Sequence, residues 1–241
     1  AVAGFDPDEQ VIKGIGKTGE DVLTAYPLPI NLLYCYLAKI SYQIGDFETS
    51  ERAAERACNF FMERTDVKDR NLDNTSNPIY LFRITQKALK NYSLHEIAMT
   101  AEAFVVMARC LERKYADIEA NTKVSLVPIT IQRNHLRICN YLVMALELST
   151  AAKFFIMSKK IAKEIYNQFQ EFLKFKTKSP FIYQILVKTQ LVLSQIPKEI
   201  WDTAIRHVSA KISYELIKVT FQINEIRLSK LILYQDLKTP L

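Results

Sequence analysis

The sequence predicts an all-α fold, an α-solenoid of stacked antiparallel helical hairpins. Glycine is scarce, since only five of the 241 residues are glycine and the last of them is Gly45. Folds rich in β structure use glycine at turns and phosphate loops, so this distribution favours helices joined by polar or proline-containing corners. Candidate hairpins begin near residues 30, 79, 131 and 180, and stacked repeats produce such even spacing. A compact bundle of about eight or nine helices is the alternative architecture.

The clearest hairpin lies between Asn31 and Met62. Its first helix, about residues 29–44, carries apolar side chains at helical spacing on one face, namely Leu33, Leu37, Ile40 and Ile44. Gly45 can adopt the left-handed conformation that ends a helix, and Asp46 is a suitable N-cap for the next one. The second helix, about residues 47–62, has a stripe of small residues that allows close packing, namely Ser50, Ala54 and Ala57.

This hairpin resembles the tetratricopeptide repeat, a helix-turn-helix unit of about 34 residues. The residues in register with that family's pattern are Tyr34, Leu37, Ala38, Gly45, Asp46, Phe47 and Ala57. Two positions depart from it, since Ser50 stands where alanine is usual and Ala54 stands where an aromatic residue is usual. No proline ends the repeat. The resemblance covers about one repeat, and it implies an architecture rather than a partner.

The chain is predicted to contain a linker, residues 1–28, and one helical-repeat domain, residues 29–241. The predicted elements of that domain are hairpins over about residues 30–64, 79–115, 130–175 and 180–219 and a terminal helix over about residues 223–237.

Local signals define parts of the later hairpins. Residues 65–78 are polar and are predicted to form a long loop, after which a helix is predicted over about residues 79–91. Ser93 and Glu96 then have the spacing of a capping box, which begins a helix that runs to about residue 115. In the third hairpin, a break at residues 149–150 separates the two helices.

No catalytic, cofactor or metal motif is recognised. The four cysteines, Cys35, Cys58, Cys110 and Cys139, are widely spaced within predicted helices. This spacing favours buried free thiols over a disulfide framework or a zinc site. The three histidines are also far apart, and Val11 stands where the phosphate-loop pattern before Lys17 requires its first glycine. The sequence therefore predicts neither an enzyme nor a bound cofactor or metal.

Charge is distributed unevenly along the chain. Residues 1–66 carry 11 acidic and 6 basic side chains, whereas the rest of the chain carries 15 acidic and 26 basic ones. Lysines are densest between residues 149 and 180, where a candidate basic surface is formed by Lys153, Lys159, Lys160 and Lys163. Such an excess can attract an acidic partner.

The leading functional hypothesis is a non-enzymatic helical-repeat scaffold that holds other proteins in a large assembly. The long helices and lysine-rich corners resemble the large tetratricopeptide-type scaffolds of cilia and flagella, which implies an axonemal location as one possibility. The second hypothesis is a basic module that binds nucleic acid or another anionic polymer, such as the microtubule surface. A third, a helical enzyme, would require an enclosed polar pocket.

The expected location is intracellular, in the cytoplasm or the cytoskeleton. The sequence begins at Ala1 rather than at a methionine, and no signal peptide is recognised after it, which favours a piece of a longer protein. Charges interrupt every apolar run before it reaches the roughly 20 residues of a membrane span, so none is predicted.

Overall fold

The structure, a computed structural model, describes residues 28–68, 80–121, 128–175 and 180–222. Within these ranges it is mostly helical, which confirms the all-α prediction apart from one β-hairpin. The helices are α1 (Ile30–Ile44), α2 (Phe47–Asn59), α3 (Gln86–Asn91), α4 (Leu94–Asn121), α5 (Pro128–Ala151), α6 (Phe155–Phe175), α7 (Pro180–Ser194) and α8 (Thr203–Gln222). A 3₁₀ turn, Lys198–Ile200, precedes α8, and the strands are β1 (Met62–Lys68) and β2 (Tyr80–Ile84).

The long helices pack on neighbours one or two helices away in the sequence. Helix α1 packs against α2, and α4 packs against both of them and most extensively against α5. Helices α6 and α7 both contact α5, and α8 contacts α6 and α7. One cluster of buried apolar side chains extends through these helices, and its largest fully buried members include Phe61, Phe104, Leu136, Phe172 and Leu193.

The turn between α1 and α2 confirms the predicted hairpin. Gly45 has a φ of 88° and its N–H donates to the Tyr42 carbonyl at 3.2 Å. A side chain here would be strained by this φ, because L-residues rarely adopt it. Asp46 caps α2, and its carboxylate accepts from the Thr49 N–H at 3.1 Å. That hydrogen bond lowers the pKa of Asp46.

The contacts of Ser50 account for the serine at a position where the repeat pattern usually has alanine. It is fully buried, and its hydroxyl donates to the Ala38 carbonyl on α1 at 2.8 Å. The same oxygen accepts a weak hydrogen bond from the Cys110 thiol of α4 at 3.6 Å. Ala54 and Ala57 are also fully buried. The predicted small-residue stripe of α2 therefore lies in the core, where it lets neighbouring helices approach closely.

The apolar face predicted for α1 faces the core only in part, since Leu37 packs against the core. Ile40 is 55% exposed and Ile44 is 74% exposed. The most buried residues of α1 are instead Leu32, Tyr34, Cys35 and Ala38, at 5% exposure or less. Helices α2 and α4 pack against α1 and set its orientation. The stripe that we predicted from spacing alone therefore turns away from the core at Ile40 and Ile44.

The prediction of a helix over residues 79–91 is wrong for residues 80–84, which form β2. This strand pairs antiparallel with β1, with Met62 opposite Ile84 and Arg64 opposite Phe82. Residues 65–68 of the predicted loop belong to β1, and the rest of that loop lies outside the described residues. Only α3 remains helical in that region, with its first turn capped by the Thr85 hydroxyl.

A contact from α5 accounts for the strand. Asn140 is 7% exposed. With its carboxamide in the orientation that satisfies both polar atoms, the side chain accepts from the Phe82 N–H at 3.0 Å and donates to the Phe82 carbonyl at 3.3 Å. Because a carboxamide pairs in this way with an extended backbone, Asn140 acts as a third strand would at that edge.

The remaining helices follow the prediction more closely. The hairpins predicted over residues 130–175 and 180–219 coincide with α5–α6 and α7–α8. The predicted capping box forms, since Glu96 accepts from the Ser93 N–H at 2.9 Å, although α4 continues to Asn121. The break predicted at residues 149–150 lies slightly later, at residues 152–154. The predicted linker, apart from residue 28, and the predicted terminal helix lie outside the described residues.

The predicted burial of the cysteines is confirmed. All four are buried free thiols. Burial raises the pKa of each of them, to about 12 for Cys35. Among the described helices, none combines the length and the apolar character needed to cross a membrane.

Candidate functional site

Three helices, α1, α4 and α6, enclose a surface groove. Its volume is about 520 Å³. The lining residues are Lys39, Tyr42 and Gln43 from α1, Glu102, Val105, Val106 and Arg109 from α4, and Phe154, Ile156, Met157, Lys160, Ile161 and Glu164 from the start of α6 and the residue before it. We call this feature the α1/α4/α6 groove.

The groove has an apolar base and an exposed apolar rim. Val105 and Val106 of α4 are 8% and 7% exposed, and they lie at the base with the buried Ile161. Phe154 and Ile156 stand at the rim, with 40% and 65% exposure. Exposed apolar side chains beside a concave surface are typical of sites that bind another molecule.

The corner between α5 and α6 fixes Phe154 in place. Lys153 has a φ of 58°, an uncommon value outside glycine, and its N–H donates to the Thr150 carbonyl at 2.9 Å. The N–H of Phe154 donates to the Ser149 carbonyl at 2.8 Å, and its carbonyl accepts from the Ser158 N–H at 3.1 Å. The Ser158 hydroxyl lies 2.9 Å from that of Ser149. Hydrogen bonds on both sides therefore hold the rim residue.

Two ion pairs connect the walls of the groove. Lys39 of α1 lies 2.5 Å from Glu102 of α4, and Arg109 of α4 lies 2.6 Å from Glu164 of α6. Partial burial acts to lower the pKa of Arg109, but the hydrogen bond and charge of Glu164 outweigh it and the pKa rises. Partly exposed pairs add little to stability, and these two link α1 to α4 and α4 to α6 across the groove.

Lys160 leaves the groove with one uncompensated positive charge. Lys39 and Arg109 are paired with the two carboxylates of the lining, whereas Lys160 is exposed and no described acidic side chain lies within 4.0 Å of it. The first turn of α6, which adjoins it, contains no acidic residue. The positive end of the helix dipole therefore adds to the charge of Lys160 on this side.

The candidate basic surface is divided by the structure. Lys159 and Lys163 both face Asp202, at 3.3 Å and 3.9 Å from the same carboxylate oxygen. Asp202 also accepts from the Ile205 N–H at the start of α8, and this bond, with the two lysines, lowers the pKa of Asp202. Lys153 lies on the exposed corner, and only Lys160 lines the groove. The candidate basic surface therefore contains two lysines that face a carboxylate, Lys159 and Lys163, and one that lines the groove, Lys160.

The repeat-motif residues serve the fold. Tyr34, Ala38 and Ala57 are buried between helices, and Leu37 is half-buried. The Phe47 ring contacts the Tyr42 ring, with 5.4 Å between the two centroids. The Arg113 guanidinium lies over the Phe47 ring, 3.8 Å from its centroid. Phe47 thereby supports Tyr42, a lining residue, but none of the repeat-motif residues lines the groove itself.

Two of the three histidines have ordinary polar partners. Nε2 of His95 lies 3.3 Å from the Tyr36 hydroxyl, and Nδ1 of His135 lies 2.5 Å from the Gln168 carboxamide oxygen. Within the described ranges, no three His, Cys, Asp or Glu side chains are grouped closely enough to hold a metal ion.

The groove was not predicted from the sequence. Its pairing residues are far apart, with Lys39 and Glu102 separated by 63 positions and Arg109 and Glu164 by 55. The available signal was the apolar pair at residues 154–155 within the lysine-rich stretch. Comparison of the chain with protein-family models, curated proteins and solved structures gave no match.

Proposed function

We propose that this chain is a non-enzymatic helical-repeat scaffold that binds a segment of another protein in the α1/α4/α6 groove. The observation that carries the proposal is the apolar base of the groove together with the exposed Phe154 and Ile156 at its rim. The sequential packing of the helices is compatible with an α-solenoid, in which successive helices line a shared groove.

The size of the groove suits one or two large side chains. Its volume of about 520 Å³ lies within the range of ligand pockets, roughly 300–1,000 Å³. Full burial of one large apolar side chain contributes about 1.5–3 kcal/mol. Two such anchors would account for much of the binding energy of a short segment, because a few buried residues dominate most interfaces.

The chemistry of the described residues favours binding over catalysis. The four thiols are buried and their pKa values are raised, so thiolate nucleophiles are disfavoured. The carboxylates in the groove, Glu102 and Glu164, are each paired with a cation.

Binding of an anionic polymer is the less supported function. Lys159 and Lys163 share the Asp202 carboxylate, which reduces the positive potential available to a phosphate chain or an acidic surface. Because the sequence resembles ciliary and flagellar scaffolds, we propose the axoneme as the assembly in which to look for the partner.

The test is cross-linking mass spectrometry on the native assembly that contains the chain. We expect a partner segment to cross-link to residues around the α1/α4/α6 groove. Ile156→Asp should abolish these cross-links, because it places a charge on the apolar rim. Leu191→Asp is the matched control, since Leu191 is 56% exposed on α7 and does not line the groove. Equal loss in both variants, or partner cross-links confined to other surfaces, would refute the proposal.

A further inference from the structure

The α1/α4/α6 groove is suited to a ligand that is both anionic and apolar. Its rim offers Phe154 and Ile156 to an apolar side chain. Beside them stand Lys160, which has no acidic partner within 4.0 Å among the described residues, and the start of α6, a helix whose first turn contains no acidic residue. A carboxylate placed there would satisfy the lysine and the helix dipole together.

The chain itself contains a segment with this chemistry. Residues 1–12, AVAGFDPDEQVI, carry three acidic side chains and no lysine or arginine, interspersed with Val2, Phe5, Val11 and Ile12. The other segments outside the described residues differ from it. Residues 122–127, 176–179 and 223–241 each have a net positive charge, and residues 69–79 contain two acidic residues and one arginine with few apolar side chains.

The tether to this segment is long enough to reach the groove. The chain enters α1 at Ile30, and α1 is itself a wall of the groove. Residues 13–27 can span up to about 50 Å when extended, whereas a helix of the length of α1 is about 22 Å long. Tethering of this kind gives an effective concentration on the order of 1 mM, so a weak intrinsic affinity is sufficient for occupancy.

We infer that residues 1–12 dock in the α1/α4/α6 groove of their own chain, with Phe5 at the apolar rim and the neighbouring carboxylates facing Lys160. The inference rests on the proposed function, because it assigns an occupant to the same groove. Docking of this kind competes with a partner segment. With an intrinsic dissociation constant of about 0.1 mM, the tethered segment would weaken partner binding about tenfold.

The test uses the full chain with Phe5→p-benzoylphenylalanine, a residue that cross-links to nearby C–H bonds on irradiation and reacts readily with methionine. We expect cross-links within one molecule to Met157 and its neighbours in the groove. Lys160→Glu should reduce their yield several-fold. Lys211→Glu, an exposed lysine on α8, should leave the yield unchanged. Adding Asp6→Lys, Asp8→Lys and Glu9→Lys to Lys160→Glu should restore the yield, because the charges are then exchanged.

Three results would overturn the inference. Cross-links distributed over other surfaces, or none at all, would show that residues 1–12 do not occupy the groove. Cross-links between two molecules, seen as a covalent dimer on a denaturing gel, would assign the groove to a second copy. If Lys160→Glu left the cross-linking yield unchanged, the carboxylates of residues 1–12 would not face Lys160. In each case, loss of partner cross-links in Ile156→Asp but not in Leu191→Asp would still support the proposed function.

Discussion

Replacement of Asn140 tests whether a side chain on α5 holds the β-hairpin. The carboxamide makes two hydrogen bonds with the backbone of Phe82, at 3.0 Å and 3.3 Å, and Asn140 is 7% exposed. Asn140→Leu has a similar size but leaves the Phe82 N–H and carbonyl without these partners. A buried polar group that loses its partner costs about 1–3 kcal/mol. Because Phe82 is only half-buried and water can reach part of its backbone, we expect a total loss of about 2–4 kcal/mol.

The assay combines urea denaturation with amide hydrogen exchange. The free energy of unfolding should fall by the amount given above, and exchange should accelerate most in residues 80–84, where the hairpin separates from α5. Asn140→Asp should lower the free energy of unfolding further near neutral pH, because a carboxylate can accept from the Phe82 N–H but repels the Phe82 carbonyl. Asn167→Leu, at an exposed site on α6, is the control. A loss below about 0.5 kcal/mol with unchanged exchange at β2 would refute the reasoning.

Two further predictions concern titratable groups. The pKa values of Asp46 and Asp202 lie below the ordinary value of 3.8 in the folded state. The two carboxylates therefore contribute stability above pH 3.8. This contribution is lost as the pH falls through 3.8 and then through the pKa values of the folded state. In denaturation followed across this range, the double variant Asp46→Asn and Asp202→Asn should show a flatter acid dependence, and an unchanged curve would contradict the assignment. The four buried thiols should not react with Ellman's reagent at pH 8 in the folded protein and should all react in guanidinium chloride, because burial raises their pKa values and blocks access. A thiol that reacts rapidly in the folded protein would show that its cysteine is not buried between the helices.

Features with local causes could be predicted from the sequence. The Gly45–Asp46 turn depends on one backbone conformation and one cap, and both act within a few residues. The capping box at Ser93 and Glu96 is equally local. These signals determine where helices begin and end, which is why most helix positions agree with the prediction.

Features with distant causes could not be predicted. The strand at Phe82 depends on Asn140, which lies 58 positions later in the chain. The orientation of α1 depends on which neighbours approach it, and the spacing of Ile40 and Ile44 does not reveal that choice. The groove requires three helices to be placed together, so no single stretch of the sequence contains its pattern.

The two ion pairs of the groove have a consequence for binding measurements. Lys39–Glu102 and Arg109–Glu164 link the helices that line the groove, and their side chains are 25–47% exposed. Dissolved ions weaken such contacts, since the Debye length falls from about 10 Å at 0.1 M salt to about 3 Å at 1 M. We therefore expect the width of the α1/α4/α6 groove to change with salt concentration even when the bound segment carries no charge. A steep dependence on ionic strength would therefore not identify a nucleic-acid ligand for this protein, because the receptor's own architecture responds to electrolyte.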